Sequence, residues 1–440
     1  MNVGFARLDI TPCLGVRLAG SFTERRADGI LDPLMATAVA FDNGTKRAVV
    51  LSVDIIGIPR ETMDEIRVQI AQKVETMPEA VIIACTHTHL APTAFKAANG
   101  DFLEPEYMNF LTQKLIDVST LAFEDAVPSK MYCAQGKAEG VAFVRRYHMK
   151  DGTICTNPPG YRNTNILRPT NDPDESVTNI IIKREGKPEI GIVNFQVHPD
   201  VIGGCKISAD YPGFVRKTYE KLIDNSLCMY INGAQGDTNH IDAMHLVEGM
   251  CWNGYERSRY MGRKIAMAAV ENYELAQALS GDDICFGQKD VMIPMNKGTE
   301  EEIEEAKIIV EQYKQGGYEA IVLPERYKGQ KPSSVYAGAC RIMRLKNGPD
   351  EKIMRLTAVS AGKVVFAGLP GEPFTEIGCS IKEQSKFTVT IPACCANGYD
   401  GYYPMDHCFD EGGYEALNAN FARGTAERVI DSSVELINSL

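Results

Sequence analysis

The chain has 440 residues, 44% of them apolar and 24% charged, with a formal net charge of -12. That length assures a sizeable core and suits one large α/β domain with insertions or two closely joined lobes. The acidic balance argues against a nucleic-acid partner, which needs a basic stripe, and against an anionic membrane surface.

Other class signals are negative. No apolar run approaches about 18 residues, so no transmembrane segment is expected. The opening MNVGFARLDITP has no basic stretch followed by an apolar one, so it does not read as a secretory signal. Thirteen scattered cysteines with no Cys-x-x-Cys pair read as reduced thiols, and a cytoplasmic location is expected.

In chain order, Met35 to Phe41, the turn Asp42-Asn43-Gly44 and Arg47 to Val53 predict a β-hairpin. Asp54 follows it, either near a metal site or as a turn cap. Pro59 to Val74 has helical spacing. Val81 to Cys85 in AVIIACTHTHLAP predicts a buried strand ending in two histidines. Spaced two apart, His87 and His89 would share one face of an extended chain, where two imidazoles hold a metal jointly or divide the work between metal and substrate. A pair of hydrogen-bonded surface histidines has the same spacing.

Glu106 to Leu121 predicts a second helix, with Tyr107, Phe110, Leu111, Leu115 and Ile116 near one face. Lys130 to Phe143 returns to strand composition, and Val144 to Tyr161 is a Gly/Pro-rich excursion carrying Arg145 and Arg146. In a loop these are solvated charges; near a reaction centre one guanidinium would hold a carboxylate or an oxyanion. Ile190 to Val197 is a strand ending in His198 and Asp200. Tyr211 to Ile223 is helical, Leu227 to Ile231 runs into NGAQGDTNH, and Tyr255 to Tyr273 is amphipathic. Gly298 to Gln315 reads as an exposed, Glu-rich helix. Ile342 to Leu345 and Lys352 to Ser360 read as strands, as does Val364 to Gly368, which breaks at Leu369-Pro370-Gly371-Glu372-Pro373. Phe387 to Cys395 leads into NGYDGYYP, and Leu417 to Leu440 closes the chain as a helix.

Five strand-like runs therefore end in THTH, VHPD, NGAQGD, LPGEP and NGYDGYYP. Ligands of α/β sheets bind outside the carboxyl ends of strands, so convergence would gather His87, His89, His198, Glu372 and a tyrosine or two. That donor set suits zinc or another divalent transition metal. Asp54, Asp210 and Asp237 would orient an imidazole from behind or cap turns. His148, His240, His245 and His407 carry no such signal, His240 being the exception to watch because it closes the NGAQGD loop.

Taken in order, LDITP, SVDIIG, THTH, VHPD, SADYPG, NGAQGD, LPGEPFTEIG and NGYDGYYP resemble the catalytic domain of the neutral/alkaline non-lysosomal ceramidase family along nearly the whole chain. The resemblance implies an α/β fold of layered mixed β-sheets flanked by helices, one catalytic domain over 1–440 with a charged helical insertion near 298–330. It implies one zinc ion per chain, held by His87, His198, Glu372 and Tyr402, with His89 and an arginine, Arg145 or its neighbour Arg146, meeting the substrate. The chain departs from the family at Leu90-Ala91-Pro92 and after NGAQGDTN, and no counterpart of the family's C-terminal immunoglobulin-like domain is expected in these 440 residues.

The expected function is zinc-dependent hydrolysis of a carbon-nitrogen amide bond in a small soluble molecule rather than in a lipid. Ester or lactam hydrolysis at the same metal site, and a non-catalytic binding protein, are the alternatives. A homo-oligomer is the remaining partner expectation, a dimer being the default.

Overall fold

The computed structural model describes residues 1–21, 23–95, 104–249 and 251–440. Nine strands form the larger sheet: β1 (Asn2–Asp9), β2 (Met35–Asp42), β3 (Arg47–Val53), β4 (Val81–Cys85), β5 (Val127–Lys137), β6 (Ser176–Arg184), β7 (Glu189–Phe195), β8 (Ser226–Asn232) and β9 (Gln277–Leu279). Their order is β8-β7-β6-β5-β1-β2-β3-β4, with β9 alongside β5. The pairs β3/β4 and β7/β8 are parallel. A second sheet runs β10 (Ile284–Pro294), β11 (Glu351–Ala361), β12 (Val364–Gly368) and β13 (Val389–Ala393), its last pair parallel.

Strand alternation sorts the apolar side chains into layers. From β3 and β4, Val49, Leu51, Val53, Val81, Ile83 and Cys85 face helices α1 (Arg60–Lys73) and α2 (Pro105–Glu124). Their neighbours Val50, Ile82 and Ala84 point the other way, joining Val359, Phe366 and Ile391 of the second sheet. The far side of that sheet, with Met354, Leu356, Val365 and Ala367, is covered by helix Thr375–Gln384 and the C-terminal helix Thr425–Ser439. Helices α3 (Asp210–Leu222) and α4 (Tyr255–Val270) cover Val177, Val193 and Phe195 of β6 and β7. The result is layered α/β, with two sheets back to back and helices outside both.

Several expectations change. Ile342 to Leu345 is the last turn of a helix, Pro332–Leu345, and not a strand. Four apolar residues cannot distinguish the two, but Val335, Ala339 and Ile342 recur at helical spacing and pack against Ala306 and Ile309 of helix Glu300–Gly316. This helical pair, capped at Thr299 by a reciprocal bond with Glu302, is inserted between the neighbouring strands β10 and β11. The terminal helix starts at Thr425 rather than Leu417, because Gly424 at φ 80° stops the chain from continuing as a helix. The 144–161 excursion is built of short strands, including Arg146–Met149 and Ile154–Thr156. Phe110 on α2 is exposed rather than part of its buried face.

Candidate functional site

The carboxyl ends of four strands, drawn from both sheets, meet through their backbones. The Cys85 N–H at the end of β4 donates to Cys395 O (3.2 Å), Cys394 N–H beyond β13 donates to Asn232 O of β8 (3.0 Å), and Cys395 N–H donates to Gly371 O beyond β12 (2.9 Å). Gly236 of NGAQGD lies so close to the LPGEP turn that a Cβ there would sit 2.4 Å from Glu372 O. Such an approach requires glycine.

The histidines reach the crevice by a route other than strand alternation. β4 ends at Cys85, and His87 adopts φ 72°, held by its N–H donating to Ile55 O (3.0 Å). A left-handed residue without glycine costs about 1 kcal/mol, and such strain collects at functional positions. The rings of His87, His89 and His198 nonetheless stand edge to face at 4.7–5.2 Å between centroids.

Hydrogen bonds fix which ring nitrogens carry protons. His87 Nδ1 lies 2.7 Å from Ile56 O, and a carbonyl only accepts, so Nδ1 is the N–H and, in the neutral ring that binds a metal, Nε2 is a lone pair. His89 Nδ1 likewise donates to Gly20 O (3.0 Å), leaving Nε2 to accept from His198 Nε2 at 3.0 Å. His198 Nδ1 is then also a lone pair. Both lone pairs face one carboxylate oxygen: His87 Nε2 is 3.4 Å and His198 Nδ1 3.5 Å from Glu372 Oε2. His87, His198 and Glu372 are each 1% exposed, and neither His198 Nδ1 nor Glu372 Oε2 has a hydrogen-bond partner.

Three buried acceptors pointing at one another repel unless a cation lies between them. A tetrahedral ion with bonds of about 2.0–2.1 Å has ligand-to-ligand edges of about 3.3–3.4 Å. The two nitrogen-to-oxygen separations match, so this donor set fits a small divalent metal.

The charges agree with that geometry. Burial, together with the charge of Arg145, drives His198 far down, and burial pushes His89 down to about 4, so both are neutral at pH 7.

Tyr402 is brought beside Glu372 as its register partner in a short parallel pairing. Arg145 lies over the Tyr402 ring at 5.5 Å, ion-pairs through Nε with Glu415 Oε1 at 2.6 Å and donates from Nη2 to Gly236 O at 2.7 Å. Arg146 points away, donating to Cys408 Sγ, Glu411 Oε2 and Gly412 O at 2.9–3.0 Å. The arginine in the site is therefore Arg145, and both guanidinium groups are buried rather than solvated. His407, Cys408 and Glu411 also cluster, but Arg146 already occupies the last two.

Tyr399 and Glu415 escaped the sequence reading. The Tyr399 hydroxyl donates to Glu372 Oε1 (2.5 Å) and its ring stacks on His87 at 5.8 Å. It is the first tyrosine of the NGYDGYYP stretch, so a signal existed. Glu415, in the short helix Tyr414–Asn418, carries none. The three aspartates orient no imidazole: Asp54 pairs with Arg216, Asp210 accepts from Val201 N–H and Ser258 Oγ, and Asp237 caps Thr375. Orientation of His87 comes from the Ile56 carbonyl.

Against solved structures the whole chain finds a counterpart. A neutral ceramidase from Pseudomonas aeruginosa matches with a TM-score of 0.75 at 15% identity, covering 100% of this chain and 74% of that one. The fold is ceramidase-like. A ceramidase complexed with C2 matches equally, with a TM-score of 0.75, 14% identity and 75% of its length covered. No family model and no curated protein matches the sequence. At this identity the ceramidase-like likeness extends to the architecture, and the chemistry rests on the side chains above.

Proposed function

We propose that the protein is a zinc-dependent hydrolase of amide bonds in small molecules. The reading rests on one observation: two buried imidazole nitrogens lie 3.4 and 3.5 Å from one buried carboxylate oxygen, close to the edge length of a tetrahedral metal site. His87, His198 and Glu372 would hold the ion, with Tyr402 alongside. The ceramidases of the same fold cleave an amide, which directs the choice of bond.

Bound zinc supplies Lewis acidity, polarising a carbonyl and lowering the pKa of water from about 15.7 to about 7. The chain's own residues do the rest. Arg145, its charge secured by Glu415 and Tyr402, presents a fixed cation to the negative charge that develops on the carbonyl oxygen. Neutral His89, held by the Gly20 carbonyl and by His198, lines the same crevice and would meet the substrate. Near-complete burial of the remaining groups excludes bulk water and strengthens each of these interactions. Among the described residues, His89, Tyr399, Tyr402 and Asp200 keep partial exposure around the crevice, which suits a small or narrow substrate.

The test is metal content by mass spectrometry with amide hydrolysis measured in parallel. Zinc near one per chain is expected in the wild type and should be lost, with activity, in His87→Ala and Glu372→Ala. Full activity in a metal-free preparation would overturn the reading.

A further inference from the structure

The crevice holds one more carboxylate that neither the donor set nor the Arg145 ion pair uses. Asp200 lies two residues beyond His198, and the preceding Pro199 carbonyl accepts from His89 N–H at 3.4 Å, which seats Asp200 against the histidine wall. Its side chain is 38% exposed, and its Oδ1 is buried without a hydrogen-bond partner. The group facing Oδ1 is His240 Nδ1 at 3.6 Å, itself buried and unpartnered.

His240 Nε2 lies 2.8 Å from Asn253 Oδ1, an acceptor, so Nε2 carries the proton. Burial pushes the ring's pKa down, which keeps it neutral and leaves Nδ1 a lone pair. Asp200 and His240 thus repeat the arrangement of the metal centre on a smaller scale: two acceptors face each other with no donor between them. Here the separation is 3.6 Å, both facing atoms are buried while the Asp200 side chain as a whole is 38% exposed, and the ligand number is too low for a structural ion.

We propose that Asp200, backed by His240, is a specificity residue that binds a protonated amine on the substrate. This rests on the hydrolase reading for the identity of the crevice. The acidic chain as a whole, at -12, favours the approach of such a cation.

The test is calorimetric binding to the zinc-loaded full chain of N-(2-aminoethyl)acetamide and of its neutral isostere N-propylacetamide. The wild type should bind the charged amide at least tenfold more tightly. Asp200→Asn should abolish that preference while leaving the neutral compound's affinity and the zinc content unchanged; Asp200→Ser serves if the first variant folds poorly. Equal binding of both compounds by the wild type, binding of neither, or a preference retained in the variants would overturn the proposal; the last is the outcome if a water bridges the two acceptors. Hydrolysis of both compounds is followed separately. A charged amide that is bound selectively but never cleaved would sink the hydrolase reading and leave this one standing.

Discussion

Neutralising Glu415 should cost stability and activity together, because Glu415 is what makes a buried arginine tolerable beside the metal centre. Glu415 is fully buried and Arg145 is 5% exposed, with 2.6 Å between Oε1 and Nε. Removing one partner of a buried pair costs about 3–5 kcal/mol, since the other charge is left uncompensated. Glu415→Gln should fall near the lower end, about 3 kcal/mol, because Arg145 keeps the Gly236 carbonyl and the Tyr402 ring. Arg145→Met should cost a similar amount, since Glu415 keeps Thr156 Oγ1 at 2.9 Å and Arg146 at 3.9 Å. The double variant strands neither charge. It should therefore be more stable than the sum of the singles implies, by about 2–3 kcal/mol. Urea unfolding of the four proteins at one zinc loading measures the cycle. A freed Arg145 also shifts against the developing charge, and a misplacement of about 1 Å costs on the order of a hundredfold in rate, so kcat should fall in Glu415→Gln with zinc content unchanged. Single costs that add within about 0.5 kcal/mol would show that the pair is not coupled and would refute the reasoning.

Three further outcomes separate the metal centre from its supports. In metal-free protein, Glu372→Gln should raise stability by about 1–2 kcal/mol in thermal or urea unfolding, because an amide donates where the carboxylate faces two lone pairs; in zinc-containing buffer the order should reverse. Tyr399→Phe removes the 2.5 Å bond to Glu372 Oε1 and should weaken zinc about 10–100-fold in a chelator competition, with no effect at all arguing that the hydroxyl does not orient the carboxylate. Gly20→Ala should lower hydrolysis while zinc content holds, since the new Cβ would sit 2.3 Å from His89 Nδ1 and displace that ring alone; loss of zinc would instead make His89 a ligand.

Strand alternation and turn residues carried most of the architecture. Val49, Leu51 and Val53 against Val50, and Val81 and Ile83 against Ile82, write the two faces of a sheet packed on both sides. Polar clusters closing these apolar runs located the crevice, because a backbone leaving the carboxyl end of a buried strand must deliver its side chains there. Local pattern failed where identity depended on distant neighbours. Arg145 and Arg146 are adjacent and chemically alike, and their separate fates follow from Glu415 and Tyr402 on one side and Cys408 and Glu411 on the other, all supplied from far along the chain. The same holds for Ile342 to Leu345, whose helical state depends on helix Glu300–Gly316 packed against it.

Protonation was the least legible property, and it decides the chemistry. Nothing in THTH or VHPD tells which nitrogen of His87 or His198 is bare. The Ile56 and Gly20 carbonyls settle it, one on the turn after β3 and the other in the N-terminal segment before β2, each fixing a tautomer by accepting a single hydrogen bond. The consequence runs from backbone to function: a carbonyl placed behind an imidazole directs a lone pair forward, and two such lone pairs opposite Glu372 create a demand for a cation that no side chain of the crevice meets. The Gly20→Ala and Glu372→Gln variants address the two ends of that chain of cause, one disturbing a carbonyl-held ring and the other removing the demand itself.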